Sequence, residues 1–174
     1  MSAFAISPTT LSRETFVSTF GGVYEHSSWI AERAFDAGLT KAADTPDGLS
    51  VLLRAQVEAA GEVAQLSLLR AHPDLAGKLA TSGQLTAAST TEQAGAGLDA
   101  CTDDEFERFQ ALNKTYVDRF GFPFILAVAG RQRTEILENF EQRVDNDPDT
   151  EFREALDQVH RIALLRLHAL TQER

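Results

Sequence analysis

PDTEFREALDQVHRIALLRLHAL, residues Pro148–Leu170, places Phe152, Leu156, Val159, Ala163, Arg166 and Leu170 at successive intervals of four, three, four, three and four. That period predicts one helix from near Pro148 to about Leu170, with a proline suited to its first turn. Leu164, Leu165 and Leu167 make other sides apolar as well, and a helix greasy nearly all round lies centrally in a fold or at a subunit interface. Arg166 falls within the apolar stripe, where a guanidinium is costly unless something anionic meets it. Positions 162, 163, 169 and 170 hold no acid, so a distant carboxylate or a bound anion must serve as partner.

The chain upstream is also helical in its spacing. Ser12 is a plausible cap for a short helix carrying Phe16, Val17 and Phe20 and stopped by Gly21-Gly22. Ser27 can cap a second helix that ends by Gly38, with Ile30, Ala34 and Ala37 along one side and Trp29 as a packing anchor. Thr45-Pro46-Asp47 opens a third, with Leu49, Leu52, Leu53 and Val57 as its buried stripe, and Gly61 breaks it. Val63, Leu66 and Leu69 then continue to His72. A short helix is expected from Pro73 to about Ala80, followed by a turn at Ser82-Gly83 and a helix started by Thr86. Thr102 and Glu105 form a capping box for a long helix carrying Phe106, Phe109, Leu112 and Tyr116. Phe120-Gly121-Phe122-Pro123-Phe124 interrupts it, and Ile125–Gly130 reads as a short buried extended run. Thr134 opens a helix with Ile136, Leu137, Phe140 and Val144. The expected architecture is all-α, a compact bundle of about eight helices in one domain over residues 1–174.

With 43% hydrophobic and 24% charged residues and a formal net charge of −10, the chain reads as globular, without the basic surface that nucleic acid or an anionic membrane face needs. A lone Cys101 fits a reducing compartment. No apolar run approaches a membrane span, the N-terminus lacks a signal peptide's basic start, and the C-terminus is not a peroxisomal address, so the cytoplasm is expected.

The candidate chemistry centres on Leu69-Arg70-Ala71-His72-Pro73-Asp74-Leu75-Ala76-Gly77-Lys78. Proline forces the preceding helix to stop at His72 and starts the next, so the imidazole would sit near free backbone N–H groups that favour its neutral form. It reads either as a cap or as a base. Ser89, Glu92 and Gln93 share a helical face, although Ser89 and Glu92 also have the form of a capping box. His26, His72, His160 and His168 are scattered and Cys101 is alone, so no metal site is expected. Nucleotide loops and serine-hydrolase elbows have no matching motif either.

Five motifs in order then resemble the OHCU decarboxylase family, which acts on 2-oxo-4-hydroxy-4-carboxy-5-ureidoimidazoline in urate breakdown: Glu25–Trp29, Ala71–Leu75, Ser89–Gln93, Phe120–Phe124 and Leu165–Leu167. Ser28 stands where many relatives have proline, at a helix start without a catalytic role. The resemblance implies an all-helical, cofactor-free, usually homodimeric enzyme making (S)-allantoin. It places the catalytic histidine on His72 and the acid on Glu92. It places substrate-binding groups on Pro73, Ser89, Gln93, Phe124, Ile125 and Arg166, with His72, Glu92 and Arg166 expected to converge on one pocket. A non-catalytic helical interaction module, or a decarboxylase of another small ureide-like ring acid, are the alternatives.

Overall fold

The computed structural model describes residues 3–77, 83 and 85–171, and these are all-α: eight α-helices, two single turns of 3-10 helix at Pro8–Thr10 and Lys41–Asp44, and no strand. They fall into two compact units, residues 1–71 with 159–174, and residues 72–158.

In the first unit, α1 (Arg13–Phe20) and α3 (Pro46–Ala59) start as their sequences require. Ser12 accepts from Thr15 N and Thr45 from Gly48 N, each at 3.2 Å, satisfying one of the amides that a helix start leaves unbonded. α2 (Trp29–Asp36) and α4 (Glu62–Arg70) complete the N-terminal part. Phe16, Phe20, Ile30, Leu49, Leu53, Val57, Leu68 and Leu69 form its core with Ala163 and Leu167. Arg13 grips Asp36 with two nitrogens, at 2.8 and 2.9 Å, joining α1 to α2 across an exposed surface. Solvent screening makes such an exposed pair a weak contributor to stability.

The second unit contains α5 (Ala87–Gly95), α6 (Asp103–Phe120), α7 (Arg133–Arg143) and the first half of α8 (Pro148–Ala169). The Thr102–Glu105 capping box forms, and Gly121, at φ 79°, closes α6 in the left-handed conformation that glycine adopts without Cβ strain. Aromatic packing dominates the core. Tyr116 meets Phe122, Phe124 and Phe140 edge-on at 5.8, 5.4 and 5.7 Å, and Phe124 stacks on Phe140 at 3.9 Å. Each such pair adds about 0.5–1.5 kcal/mol beyond burial.

Four sequence expectations are corrected. Residues 73–77 form turns and no helix, while residues 78–82 of the expected Pro73–Ala80 helix and Ser82-Gly83 turn lie outside the described set. The backbone N–H groups invoked for a neutral His72 are therefore not those of a helix start at Pro73. Ser28, and not Ser27, occupies the N-cap of α2; the Ser27 hydroxyl instead donates to Glu25 O at 2.9 Å. On α4, Val63 is 84% exposed and the buried positions are Leu68 and Leu69, because this short helix covers the core only with its last turn. α7 begins at Arg133, with the Glu135 carboxylate accepting from Gln132 N at 2.8 Å, so Thr134 lies inside the helix. The Ile125–Gly130 run is, as expected, buried as far as Val128, and without a partner it joins no ladder.

Candidate active site

α4 stops at Arg70, with Ala71 N donating to Ser67 O and Leu68 O at 3.1 and 3.2 Å. His72 follows, 8% exposed, then half-buried Pro73 and Asp74 and buried Leu75, Ala76 and Gly77. This loop has no regular partner for its polar backbone, and buried amides and carbonyls must find one. Three carboxamide side chains supply it. Gln93 accepts from Ala76 N at 3.1 Å and donates to Asp74 O at 3.2 Å; Asn113 donates to Leu75 O at 3.0 Å and Gln110 to Ala76 O at 2.9 Å. The held conformation includes Ala76 at φ 49°, a left-handed state that costs an L-residue about 1–2 kcal/mol. A Cβ on Gly77 would come within 2.6 Å of Asp74 Cβ, so the turn admits only glycine there without a shift. Burial pushes the Asp74 carboxyl above the usual carboxylate range.

Thr86 caps α5 by accepting from Ser89 N at 3.2 Å. Ser89 is thus inside the helix, which removes the alternative that Glu92 closes a capping box with it. Ser89 and Gln93 are buried on one face, each 5% exposed, and Glu92 is half-buried beside them. Gln93 brings this face against the loop that carries His72 and Pro73. Sequence reasoning gave Gln93 to the substrate; its observed bonds run to the loop, so it holds that loop whatever else it meets.

Phe124 and Ile125 lie in the same unit, 0% and 3% exposed. The Arg143 guanidinium sits 4.4 Å above the Phe124 ring and donates to Ile125 O at 2.7 Å. Arg143 is paired with the fully buried Glu151 through Nε and Nη2 at 2.8 and 2.6 Å. The Tyr116 hydroxyl also donates to Glu151, and burial together with that carboxylate pushes the phenol's pKa up, so it remains a donor.

Arg166 belongs to the first unit. Its Nη1 meets Glu25 Oε2 at 2.7 Å and Val23 O at 3.4 Å, with side chains 10% and 1% exposed for Arg166 and Glu25. The distant acid required by the stripe on α8 is therefore Glu25. Between Val23 and Glu25, the Tyr24 hydroxyl is 2.8 Å from His160 Nδ1, and His160 Nε2 is 3.2 Å from Glu58 Oε1. Burial raises the Tyr24 pKa, and a protonated phenol fits an imidazole accepting at Nδ1 and donating from Nε2. His160, read from sequence as a surface or packing residue, is a buried link.

Glu25, Gln110, Asn113, Arg143 and Glu151 were given no role from sequence. A signal existed for two of them: Asn113 stands between Phe109 and Tyr116 at steps of four and three, and Arg143 follows Ile136 and Phe140 at the same steps. A polar residue occupying a core position reports a buried partner.

A family model for OHCU decarboxylase matches residues 9–168. The 2-oxo-4-hydroxy-4-carboxy-5-ureidoimidazoline decarboxylase of Haloferax volcanii is 46% identical over 90% of this chain and 89% of its own length. That of Halalkalicoccus jeotgali is 42% identical, over 93% and 88%. The uric acid degradation bifunctional protein PucL of Bacillus subtilis is 39% identical over 92% of this chain, which spans 31% of that protein. Among solved structures, an (S)-allantoin synthase matches with TM-score 0.74 and 33% identity over 94% of this chain and 52% of its own. An OHCU decarboxylase crystallised in the presence of (S)-allantoin, 23% identical with TM-score 0.68 over 87% of this chain and 96% of its own, shares the fold. The family expected from the five motifs is the one that matches: the chain belongs to the OHCU decarboxylase family.

Proposed function

We propose that this chain decarboxylates 2-oxo-4-hydroxy-4-carboxy-5-ureidoimidazoline to (S)-allantoin, without a cofactor, as a carboxy-lyase of urate degradation. The observation that carries the reading is the Gln93 clasp, which ties the loop after His72 to the helix presenting Ser89 and Glu92.

The chemistry suits those groups. Loss of CO2 from the ring carbon bearing hydroxyl and carboxylate leaves an electron pair, and the adjacent C=N accepts it to give an enol-like intermediate. The substrate is thus its own electron sink. His72 hydrogen-bonds the hydroxyl and carboxylate region and assists proton movement, and Glu92 handles the proton delivered to one face of the neighbouring carbon. Ser89 and Gln93 read the ureido and ring amides, Pro73, Phe124 and Ile125 line the site, and Arg166 anchors an anionic or carbonyl group. We further assign a homodimer, supported by the family resemblance and by the last helix, apolar on several sides, and the cytoplasm, supported by the lone cysteine. The whole chain is read as one working domain.

Freshly generated substrate, which also decays slowly to racemic allantoin, tests this. The protein should speed CO2 loss and give an excess of the S enantiomer. His72→Asn and Glu92→Ala should each lower kcat/KM by about 10²–10⁴ with nearly unchanged melting temperature. A protein inert on this substrate but active on another ring acid in a panel would reassign the substrate; full activity in both variants would remove the two residues from the mechanism.

A further inference from the structure

Residues 122–128 are all buried and belong to no helix or strand. Their backbone groups cannot be left dry and unbonded, since each such group costs about 1–3 kcal/mol. Side chains and a local turn satisfy several of them. Arg143 Nη1 donates to Ile125 O at 2.7 Å, Gln158 Oε1 accepts from Ala127 N at 3.0 Å, Arg131 Nε donates to Ala127 O at 3.2 Å and Arg131 N to Val128 O at 3.0 Å.

Two of these donors and acceptors are themselves aimed. Glu154 accepts from Gln158 Nε2 at 2.8 Å, which turns the Gln158 oxygen toward Ala127 N. Arg143 is fixed by Glu151, which also takes the Tyr116 hydroxyl and, at 2.9 Å, Asn146 Nδ2. The same guanidinium covers the Phe124 ring. A buried ion pair is weak evidence for stability, because apolar residues of similar volume often do as well. What an apolar replacement could not do is hold Ile125 O at a set place and orientation.

We propose that Arg143 and Gln158 are positioning residues of the decarboxylation, setting the main chain of 124–128 as the wall against which the substrate ring is oriented. This rests on the function proposed above and on Phe124 and Ile125 lining the site. Neither residue needs to touch substrate.

The test uses the full chain and freshly generated substrate, with kcat, KM, the enantiomeric excess of allantoin and the melting temperature measured for wild type, Arg143→Lys and Gln158→Ala. Arg143→Lys keeps a cation beside Glu151 but loses the forked geometry that serves Glu151 and Ile125 O together. Gln158 is half-buried, so its truncation spares the fold if the buried variant does not survive. A displaced wall should lower kcat/KM by about 10- to 100-fold, mainly through KM, and reduce the enantiomeric excess in chains that still melt cooperatively. Folded variants with wild-type kcat/KM and enantiomeric excess would overturn the proposal while leaving the function intact. An inactive wild type would overturn the function and the proposal together.

Discussion

The loop after His72 and the segment 122–128 solve one problem in two ways. Both are buried, irregular main chain in the second unit, and both depend on side chains for hydrogen bonds. The first is held by three neutral carboxamides, Gln93, Gln110 and Asn113. The second is held by Gln158 and by a guanidinium whose carboxylate partner is fully buried. A neutral brace is cheap to bury and does not titrate; a charged brace is stronger and more directional, but removing half of it strands a charge. The loop nearest the proposed acid–base chemistry thus carries the braces that pH cannot alter.

The sharpest way to break this contrast is Glu151→Ala, which leaves Arg143 buried without its carboxylate. It should cost about 3–5 kcal/mol in urea unfolding, and a cost below that of the neutral variant would erase the distinction. Asn113→Ala removes a neutral brace from Leu75 O and should cost about 1–3 kcal/mol in the same measurement. Asp74→Asn probes charge within the neutral loop. Burial holds the Asp74 carboxyl above its ordinary value of 3.8, so the folded chain binds that proton more tightly than the unfolded chain. The ionised group therefore opposes folding increasingly as pH rises from about 3.8 through the raised folded value. Asp74→Asn should melt higher than wild type at pH 7, with the difference closing toward pH 3 in calorimetry. The smallest effect is expected from Ala76→Gly, where relief of the left-handed backbone and the entropy of the added glycine nearly cancel, leaving a change within about 0.5 kcal/mol.

Helices with a strong period and a chemical start were legible in the sequence: Thr45-Pro46, Thr86 and Thr102 each cap where expected, and α8 runs from Pro148 to Ala169. Spacing and cap chemistry are local, so a single sequence displays them. The loop after His72 was misread because Pro73 fits a helix start as well as a turn, and the turn is selected by amides from positions 93, 110 and 113, which are distant in sequence. Glu25 was invisible as the partner of Arg166 for the same reason, although the need for a distant acid was readable from the acid-free positions around it. His72, Ser89, Glu92 and Gln93 were singled out through residue type and spacing, and their roles were drawn from the family resemblance. The braces of segment 122–128, Arg143 and Glu151, were missed: Glu151 looks like an ordinary first-turn acid of a helix, and the core spacing of Arg143 shows that it needs a buried partner without showing which.

The sparse aromatics that bear polar groups have a practical consequence. Trp29, the single tryptophan, and Tyr24 lie in the first unit, and Tyr116, the other of two tyrosines, lies in the second. Indole fluorescence therefore reports unfolding of the first unit, while difference absorbance of a Tyr24→Phe chain in the tyrosine band, corrected for Trp29, follows the second. Coincident denaturation curves from the two signals would mean one cooperative transition, and separated midpoints would mean that each unit melts by itself.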